Sequence, residues 1–394
     1  MNETLGVQAK RHLTQVIIPF WLRMKDEEYG GFYGNVGFDL TCYKKATKGV
    51  VQTCRILYFF SEASLLLHDE ACRNAADHAY QFLLSHAFDA NYGGLYWSLS
   101  HDGEREDAVK SSFCFAHGIL ALTSYYRLTG KTEALEKAIQ LRQMIENHFT
   151  DTVGYHEVLR EDFSKMGSGD GRFSKGSYGG TKTMNTLLHL LEAYQNLYLV
   201  HEDASLLEKI DVISSLFINT VYDNDEKTLI IYFDDAMKRA SSYRSYGHEI
   251  EASWMLSNLA SRIPHCRHRK ELVELSDTLS QEVLARAFQN NSVMDETHSR
   301  EAREKRAHWV QAEAILGFIS AYQRNPGQSA YLEAAHSVWN FVMRHLVDKR
   351  EHSEWLYMVD SQGNITDQRA LVWSWKGPYN NGRMCMELIK RCTL

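Results

Sequence analysis

Two side chains near the middle of the chain have the types and the spacing needed to move a proton. His248 and Glu251 are three residues apart in a stretch with helical periodicity. They therefore share one helix face, where the carboxylate can orient the imidazole and raise its basicity. Because the ordinary pKa of histidine is near 6.5, such an imidazole can both take and return a proton near neutral pH. A buried histidine with only a structural role would show the same spacing, so the pair is a candidate acid/base centre.

Further polar side chains stand in the first turns of other helical segments, where long connections end. Aromatic residues occur near the same points of the sequence. Flat apolar rings and fixed polar groups are the chemistry of sugar recognition, although each residue alone is compatible with a structural role. The residues at these helix starts are Arg55, Asn185 with His189, Trp309 with Glu313, and Asn380 with Arg383, and the aromatic residues are Trp97, Tyr246, Trp309, Trp373, Trp375 and Tyr379.

Helices must position these side chains, because helical periodicity dominates the chain and only 4 prolines interrupt it. The helical segments come in pairs with short turns inside each pair. This pattern predicts an all-α protein of about twelve helices. The predicted segments are about 5–24, 49–68 with 71–86, 110–129 with 131–148, 183–200 with 203–220, 247–262 with 268–288, 308–324 with 329–347, and a last one from 380.

The long connections between pairs carry short alternating segments flanked by glycine, such as "YGGLYWSLSHDG" (92–103) and "EWLYMVDSQGN" (354–364). We interpret them as β-hairpins. A single helix pair cannot bury its apolar face, so the recurring unit favours a closed ring of pairs. We predict one domain over residues 1–394, an (α/α)6 barrel with short β-hairpins in the long loops. In such a ring the polar helix starts converge on one mouth.

Composition argues against several classes of function. The chain of 394 residues has a net charge of -7, and its longest basic stretch, "RHRK" (267–270), is too short for a nucleic-acid surface. It has no apolar run long enough to span a membrane, and residues 1–24 lack the pattern of a signal peptide. The 7 cysteines show no metal-type spacing. We expect a cytoplasmic protein that binds neither nucleic acid nor membrane and holds no metal.

Five stretches together resemble the motif series of the N-acylglucosamine 2-epimerase superfamily, most closely its cellobiose 2-epimerase branch. The resemblance runs from about Ile18 to Arg391. It implies epimerisation at C2 of an unprotected reducing-end sugar, or aldose–ketose interconversion, without a cofactor. The stretches are "RILYFFSEA" (55–63), "TMNTLLHLLEAY" (183–194), "SYGHEIEASWML" (245–256), "WVQAEAILGF" (309–318) and "KGPYNNGRM" (376–384).

The resemblance also implies roles for individual residues. His248 would act as an acid/base on the C2 proton, Arg55 would stabilise the enediolate oxygen, and Glu251 would orient His248. The sugar pocket would be shaped by Asn185, His189, Trp309, Trp375, Tyr379 and Glu313. We expect a small carbohydrate as the only partner, bound by a monomer or a weak homodimer.

The sequence departs from the family pattern at the pocket. The family reads Lys-x-Pro-Tyr-His-Asn-Gly-Arg in the last motif, and Asn380 stands in place of that second catalytic histidine. An amide can donate or accept a hydrogen bond, but it cannot shuttle a proton near pH 7. Phe113 stands where related enzymes have tyrosine, "CFAH" (114–117) replaces a more polar run, and His308 replaces the first residue of a Trp-Trp pair.

Three functions therefore stay open. The first is an epimerase in which His308, His189 or His117 replaces the missing histidine. The second is an aldose–ketose isomerase that uses His248 alone, and the third is a sugar-binding protein without activity. A glycoside hydrolase is disfavoured: inverting hydrolysis needs two carboxylates about 6.5–9.5 Å apart, and although Glu251 and Glu313 could supply two acids, the histidine-rich motifs give no reason to prefer that role.

Overall fold

Helices dominate the computed structural model, which describes residues 3–166, 180–296 and 299–392. The prediction of a mainly helical protein is confirmed, and a short helix at Arg300–Glu304 adds to the predicted set. The α-helices of the described residues are α1 (Leu5–His12), α2 (Ile18–Arg23), α3 (Val50–Leu67), α4 (Glu70–Phe82), α5 (Ser112–Thr129), α6 (Thr132–Met144), α7 (Met184–Tyr198), α8 (Ala204–Leu216), α9 (Tyr246–Arg262), α10 (Arg269–Arg286), α11 (Arg300–Glu304), α12 (His308–Arg324), α13 (Ser329–Phe341) and α14 (Tyr379–Arg391).

Six of these helices follow one another around a closed ring. Helix α3 contacts α5, α5 contacts α7, α7 contacts α9, α9 contacts α12, α12 contacts α14, and α14 returns to α3. Each ring helix also packs against one outer helix. Helices α4, α6, α8, α10 and α13 pack against the ring helix that precedes them, and α1 packs against α14. The first and last helices thus close on each other, as the pairing along the sequence predicts.

Ring helices and outer helices differ in how much of their surface is buried. Every residue of α3 from Val50 to Ser64 is buried, whereas α4 buries one face that includes Cys72, Ala75 and Ala79. Burial on all sides explains the long apolar runs of the ring helices. Of the described helices, α3 alone has the length and hydropathy of a membrane span. However, 78% of that apolar window is buried inside the protein, which is the environment of a core helix.

Short antiparallel strands join neighbouring long connections. The strands are β1 (Lys48–Gly49), β2 (Ser98–Leu99), β3 (Arg105–Asp107), β4 (Lys110–Ser111), β5 (Val158–Leu159), β6 (Lys182–Thr183), β7 (Tyr222–Asp223), β8 (Thr228–Leu229), β9 (Tyr232–Phe233), β10 (Phe288–Gln289), β11 (Ser292–Val293), β12 (Lys305–Ala307) and β13 (Met358–Asp360). The strand before a ring helix pairs with a strand of the following connection, as in β1–β2, β4–β5, β6–β9 and β12–β13. Within single connections β2–β3, β7–β8 and β10–β11 pair as hairpins, and isolated antiparallel bridges such as Val36–Cys42, Leu159–Lys165 and Val359–Ile365 close further local turns, so the prediction of hairpins in the long connections is confirmed. The pairing between neighbouring connections was not predicted. Local alternation carries no signal for pairing between distant segments.

A buried basic residue ties several ring helices to the connection that precedes them. The Lys48 ammonium contacts the Asp26 carboxylate at 2.6 Å before α3, and the Lys376 ammonium contacts the Glu354 carboxylate at 2.5 Å before α14. Removing one partner of such a pair leaves an uncompensated buried charge, so these pairs hold the helix starts in place. A basic residue stands two or three positions before each ring helix, and the series is Lys48, Lys110, Lys182, Arg244, Arg306 and Lys376.

Candidate active site

The N-terminal ends of the ring helices enclose a cavity of about 330 Å³. At three of these ends, a side-chain oxygen of Ser111, Thr183 or Ser245 accepts a hydrogen bond from the backbone N–H three residues further on. Most of the residues predicted for the site line this cavity, and the exceptions are Trp97, His117, Tyr246, Glu313, Tyr379 and Arg383. Tyr379 and Glu313 are buried beside it. Its lining residues are Arg55, Phe113, Asn185, His189, His248, Glu251, His308, Trp309, Tyr357, Trp373, Trp375, Lys376 and Asn380.

His248 lies in the first turn of α9 and is held by the residue that caps this helix. Its Nδ1 is 2.8 Å from the Ser245 hydroxyl oxygen, and the Trp309 ring packs beside the imidazole at 5.0 Å between ring centroids. Burial lowers the pKa of His248 to about 4, with a smaller contribution from His189. The imidazole is therefore neutral at pH 7 and has the protonation state of a general base.

Glu251 does not orient His248 through a hydrogen bond, contrary to the expectation from their spacing. Its Oε1 accepts a hydrogen bond of 2.9 Å from Arg383, which reaches it from the facing helix α14. The guanidinium draws the carboxylate away from the imidazole, and Ser245 takes the orienting position. Burial and the neighbouring Glu313 raise the pKa of Glu251 to about 8.

Arg383 gathers three carboxyl groups beneath the cavity. Its guanidinium donates to Glu251 and Glu313 at 2.9 Å each and to Glu192 at 2.7 Å. Although burial opposes the shift, Arg383 lowers the pKa of Glu192 to about 2. Tyr379 donates its hydroxyl hydrogen bond to Glu192 within the same layer. The layer is a rigid, hydrogen-bonded floor, which explains why Tyr379 and Glu313 support the cavity instead of lining it.

Arg55 places a cation in the cavity wall without a carboxylate partner among the described residues. One terminal nitrogen donates to the Trp375 carbonyl at 2.9 Å, and the other lies 3.2 Å from His117 Nε2. The guanidinium also lies over the Tyr379 ring, 4.7 Å from its centroid. Because the donor side of this contact is the guanidinium, His117 Nε2 accepts and its lone pair is occupied.

His189 and His308 also line the cavity, and they differ in the hydrogen bonds of their ring nitrogens. His189 Nδ1 is 3.1 Å from the Glu192 carboxylate, so His189 is tied to the floor. His308 Nδ1 is 3.1 Å from the Tyr357 carbonyl oxygen. A carbonyl only accepts, so Nδ1 carries the proton and His308 Nε2 keeps a lone pair. Burial, together with Lys376, holds the pKa of His308 well below its usual value.

Asn380 is anchored to the floor by its amide. Its Nδ2 donates a hydrogen bond of 2.8 Å to Glu313. Glu313 therefore receives a hydrogen bond from residue 380 although asparagine stands there in place of histidine, and the hydrogen-bonded floor is intact. In the part of the chain that the structure describes, no three His, Cys, Asp or Glu side chains converge as ligands of a metal ion.

Comparison with known proteins assigns the chain to a family. The sequence pattern of the family described as N-acylglucosamine 2-epimerase (GlcNAc 2-epimerase) matches residues 31–375. The chain belongs to the N-acylglucosamine 2-epimerase family. It is 38% identical over 391 residues to a cellobiose 2-epimerase of Dictyoglomus turgidum, with 99% of each chain covered, and 36% identical over 384 residues to a cellobiose 2-epimerase of Ruminococcus albus, with 98% of each covered. The solved structure of the cellobiose 2-epimerase from Bacillus thermoamylovorans superposes with a TM-score of 0.93 at 35% identity, covering 98% of this chain and 99% of that chain.

The last motif of this N-acylglucosamine 2-epimerase family member is used mostly for anchoring. Asn381 and Lys376 both donate to the buried carboxylate of Glu354, and Tyr379 and Arg383 belong to the floor. Trp375, which is 43% exposed, stands at the mouth of the cavity. The motif therefore positions one aromatic wall and one amide through a dense set of buried hydrogen bonds.

The residues that support the site through hydrogen bonds and packing were not predicted from the sequence. They include Tyr357, whose ring packs on Trp373 at 5.0 Å and whose carbonyl accepts from His308. They also include Ser245 as the partner of His248, although a serine three residues before a candidate base is a typical helix cap. The recurring basic residue before each ring helix was a further unused signal.

Proposed function

We propose that this chain is a cofactor-independent carbohydrate 2-epimerase of the cellobiose 2-epimerase type. Its substrate is the reducing-end sugar of a disaccharide, or a monosaccharide. The observation that carries the proposal is the pairing of a neutral His248 with a carboxylate-free Arg55 in one cavity with aromatic walls. The names of the full-length relatives support the same reaction.

The chemistry begins with the open-chain aldose, in which the C2 proton lies next to the C1 carbonyl. His248 removes this proton as a general base, and the electron pair moves through C1–C2 to the carbonyl oxygen. Arg55 donates hydrogen bonds to the oxygen as its negative charge develops, which stabilises the enediolate. Return of a proton to the other face of C2 gives the epimer, and the charge on the oxygen returns to the carbonyl bond. Trp375 and Trp309 offer ring faces to the sugar.

We propose that His308 delivers the proton on the second face, because Asn380 cannot. His117 has its lone pair occupied by Arg55, and His189 is tied to Glu192. His308 has an Nε2 lone pair and lines the same cavity as His248. To act as donor, His308 must first take a proton from water on Nε2, and the imidazolium then gives this proton to C2 and becomes neutral again. Because the pKa of His308 is lowered, few molecules carry this proton at neutral pH, so we expect slow turnover.

Proton NMR in deuterated water tests the function and the roles together. Wild-type protein should introduce deuterium at C2 of cellobiose or a related sugar and form the C2 epimer. His248→Gln should lose both. His308→Gln should still exchange the C2 proton of one epimer, because His248 can return deuterium to the same face, but it should no longer epimerise. Absence of any exchange with a panel of aldoses and disaccharides would contradict the proposal.

A one-base aldose–ketose isomerase is the second candidate, and Asn380 is the observation that favours it. In that reaction His248 moves the proton from C2 to C1 on one face, so no second proton carrier is needed. Deuterium at C1 of a ketose product, in place of deuterium at C2 of an epimer, would identify it. Sugar binding without any label would identify an inactive binding protein.

We further propose that the ring and its outer helices constitute an (α/α)6 barrel forming one domain. The closed order of ring contacts supports this architecture. A continuous buried core that includes residues from Leu5 to Ile389 supports the single domain. Limited proteolysis should then leave a resistant species close to full length, and release of a stable half would contradict the proposal.

A further inference from the structure

We infer that Ser245 and Asp295 are positioning residues that fix the tautomer of His248, with its proton on Nδ1 and its lone pair on Nε2. The relay runs from the Asp295 carboxylate through the Ser245 hydroxyl to the imidazole. Its catalytic meaning rests on the proposed function, because only a lone pair on Nε2 can accept the C2 proton. The tautomer itself can be measured without any substrate.

The directions of the hydrogen bonds follow from counting protons. The Ser245 hydroxyl is 2.5 Å from Asp295 Oδ1, and an ionised carboxylate only accepts, so the serine donates its single proton there. The serine oxygen then has lone pairs left for the backbone N–H of His248 at 3.2 Å and for its Nδ1 at 2.8 Å. Nδ1 must therefore carry a hydrogen.

The first turn of α9 is shaped around Asp295. Asp295 Oδ1 also accepts from the Gly247 N–H at 3.0 Å, and the Asp295 carbonyl accepts from the Tyr246 N–H at 2.8 Å. A Cβ at Gly247 would lie 2.9 Å from Asp295 Oδ1 and 2.5 Å from the Trp309 ring, so only glycine permits this approach. The geometry therefore fixes the carboxylate, the hydroxyl and the imidazole relative to one another.

The charged groups near Asp295 determine the pH range in which its carboxylate is ionised. Burial, together with Glu296 and Glu249, raises the pKa of Asp295 to about 6. His189, Arg55, Glu251 and His308 line the same cavity as His248, and His189 contributes to the lowered pKa of His248. At pH 7.5 the Asp295 carboxylate is ionised and accepts from Ser245, so the relay should be measured there.

Long-range proton–nitrogen NMR of histidine-labelled protein reads the tautomer directly, and steady-state kinetics reads its effect. Wild-type His248 should show the Nδ1–H tautomer at pH 7.5. Ser245→Ala and Asp295→Ala should shift it towards Nε2–H and lower kcat for C2 exchange by the roughly 10–100-fold typical of lost outer partners of functional histidines. KM should stay within about twofold, because neither side chain lines the cavity. Asp295→Asn keeps an acceptor oxygen and should largely retain the wild-type tautomer.

Ser111→Ala is the matched control, because Ser111 caps another ring helix at the same mouth and, among the described residues, its side chain accepts a hydrogen bond from the Cys114 backbone and from no site side chain. It removes a helix cap but should leave the His248 tautomer and kcat unchanged. An Nε2–H tautomer in wild-type protein, or Ser245→Ala with wild-type kcat, would overturn the relay. If no sugar is turned over, the proposed function fails, while the tautomers of wild type and Asp295→Ala still decide the relay.

Discussion

Replacing Asn380 with histidine should raise C2 exchange and epimerisation. Asn380 Nδ2 donates to Glu313 at 2.8 Å, and an imidazole N–H can make the same bond while its other nitrogen faces the cavity. The new imidazole would be hydrogen-bonded to a carboxylate, which raises its basicity. His308 lacks such support, because Nδ1 donates to a backbone carbonyl and Lys376 lowers its pKa.

The size of the gain follows from the worth of a positioned base. A full general base contributes about 10²–10⁴-fold, and because His308 supplies part of this function in the proposed mechanism we expect about 10²-fold for Asn380→His. That gain corresponds to about 2.7 kcal/mol of transition-state stabilisation. The assay is deuterium incorporation at C2 of cellobiose with detection of the mannose-configured product by NMR. The gain should persist in Asn380→His combined with His308→Gln.

Asn380→Gln is the control, since it keeps an amide and adds no titratable group. Phe113 lacks the hydroxyl of the tyrosine that the resemblance implies at this position, so Asn380→His is also measured together with Phe113→Tyr. If both variants fold, bind sugar and exchange no faster than wild type, the missing histidine is not what limits this site. The cavity would then serve a different ligand or reaction.

Three further outcomes are expected. Lys376→Met leaves Glu354 buried without its ion pair and should lower the free energy of unfolding, measured by urea titration, by about 3–5 kcal/mol. The control Lys270→Met removes the exposed ion pair of Lys270 with Glu274 and should lower it by under about 1 kcal/mol. In the proposed mechanism neutral His248 is the active form, and burial lowers its pKa to about 4. In Asp295→Asn, which lacks the carboxyl group with a pKa of about 6, kcat/KM should therefore not fall as pH decreases from 7 to 5, and an acid limb near 6.5 in this variant would contradict the burial of His248. Gly247→Ala should reduce kcat strongly while Gly327→Ala, where a Cβ meets nothing within 4 Å, should not, as measured by the same exchange assay.

The sequence predicted which residues lie together at one end of the ring, but not which hydrogen bonds they form. Helical periodicity located the ring helix starts, so Arg55, Asn185, His248 and Asn380 could be expected at one mouth. The spacing of His248 and Glu251 showed only that they share a helix face. Arg383 competes for Glu251 from α14, and a contact between helices so distant in sequence has no local signal. The strand pairs between connections were missed for the same reason.

Arg55 is the residue that argues most strongly for chemistry in the cavity. Its guanidinium is buried, yet among the described residues its polar contacts are a carbonyl and an imidazole, and its Nε has no hydrogen-bond partner there. A buried charge without a counter-ion destabilises a fold, and three carboxyl groups nearby are all turned towards Arg383 instead. A purely structural arginine would be paired, as Arg383 is. A site that must stabilise an oxyanion needs a cation that the protein has left unneutralised, because a resident carboxylate would cancel the field at the developing charge. In the proposed mechanism, asparagine at position 380 removes a proton carrier and leaves this cation in place, so the enediolate can still form even where its return to product is slow.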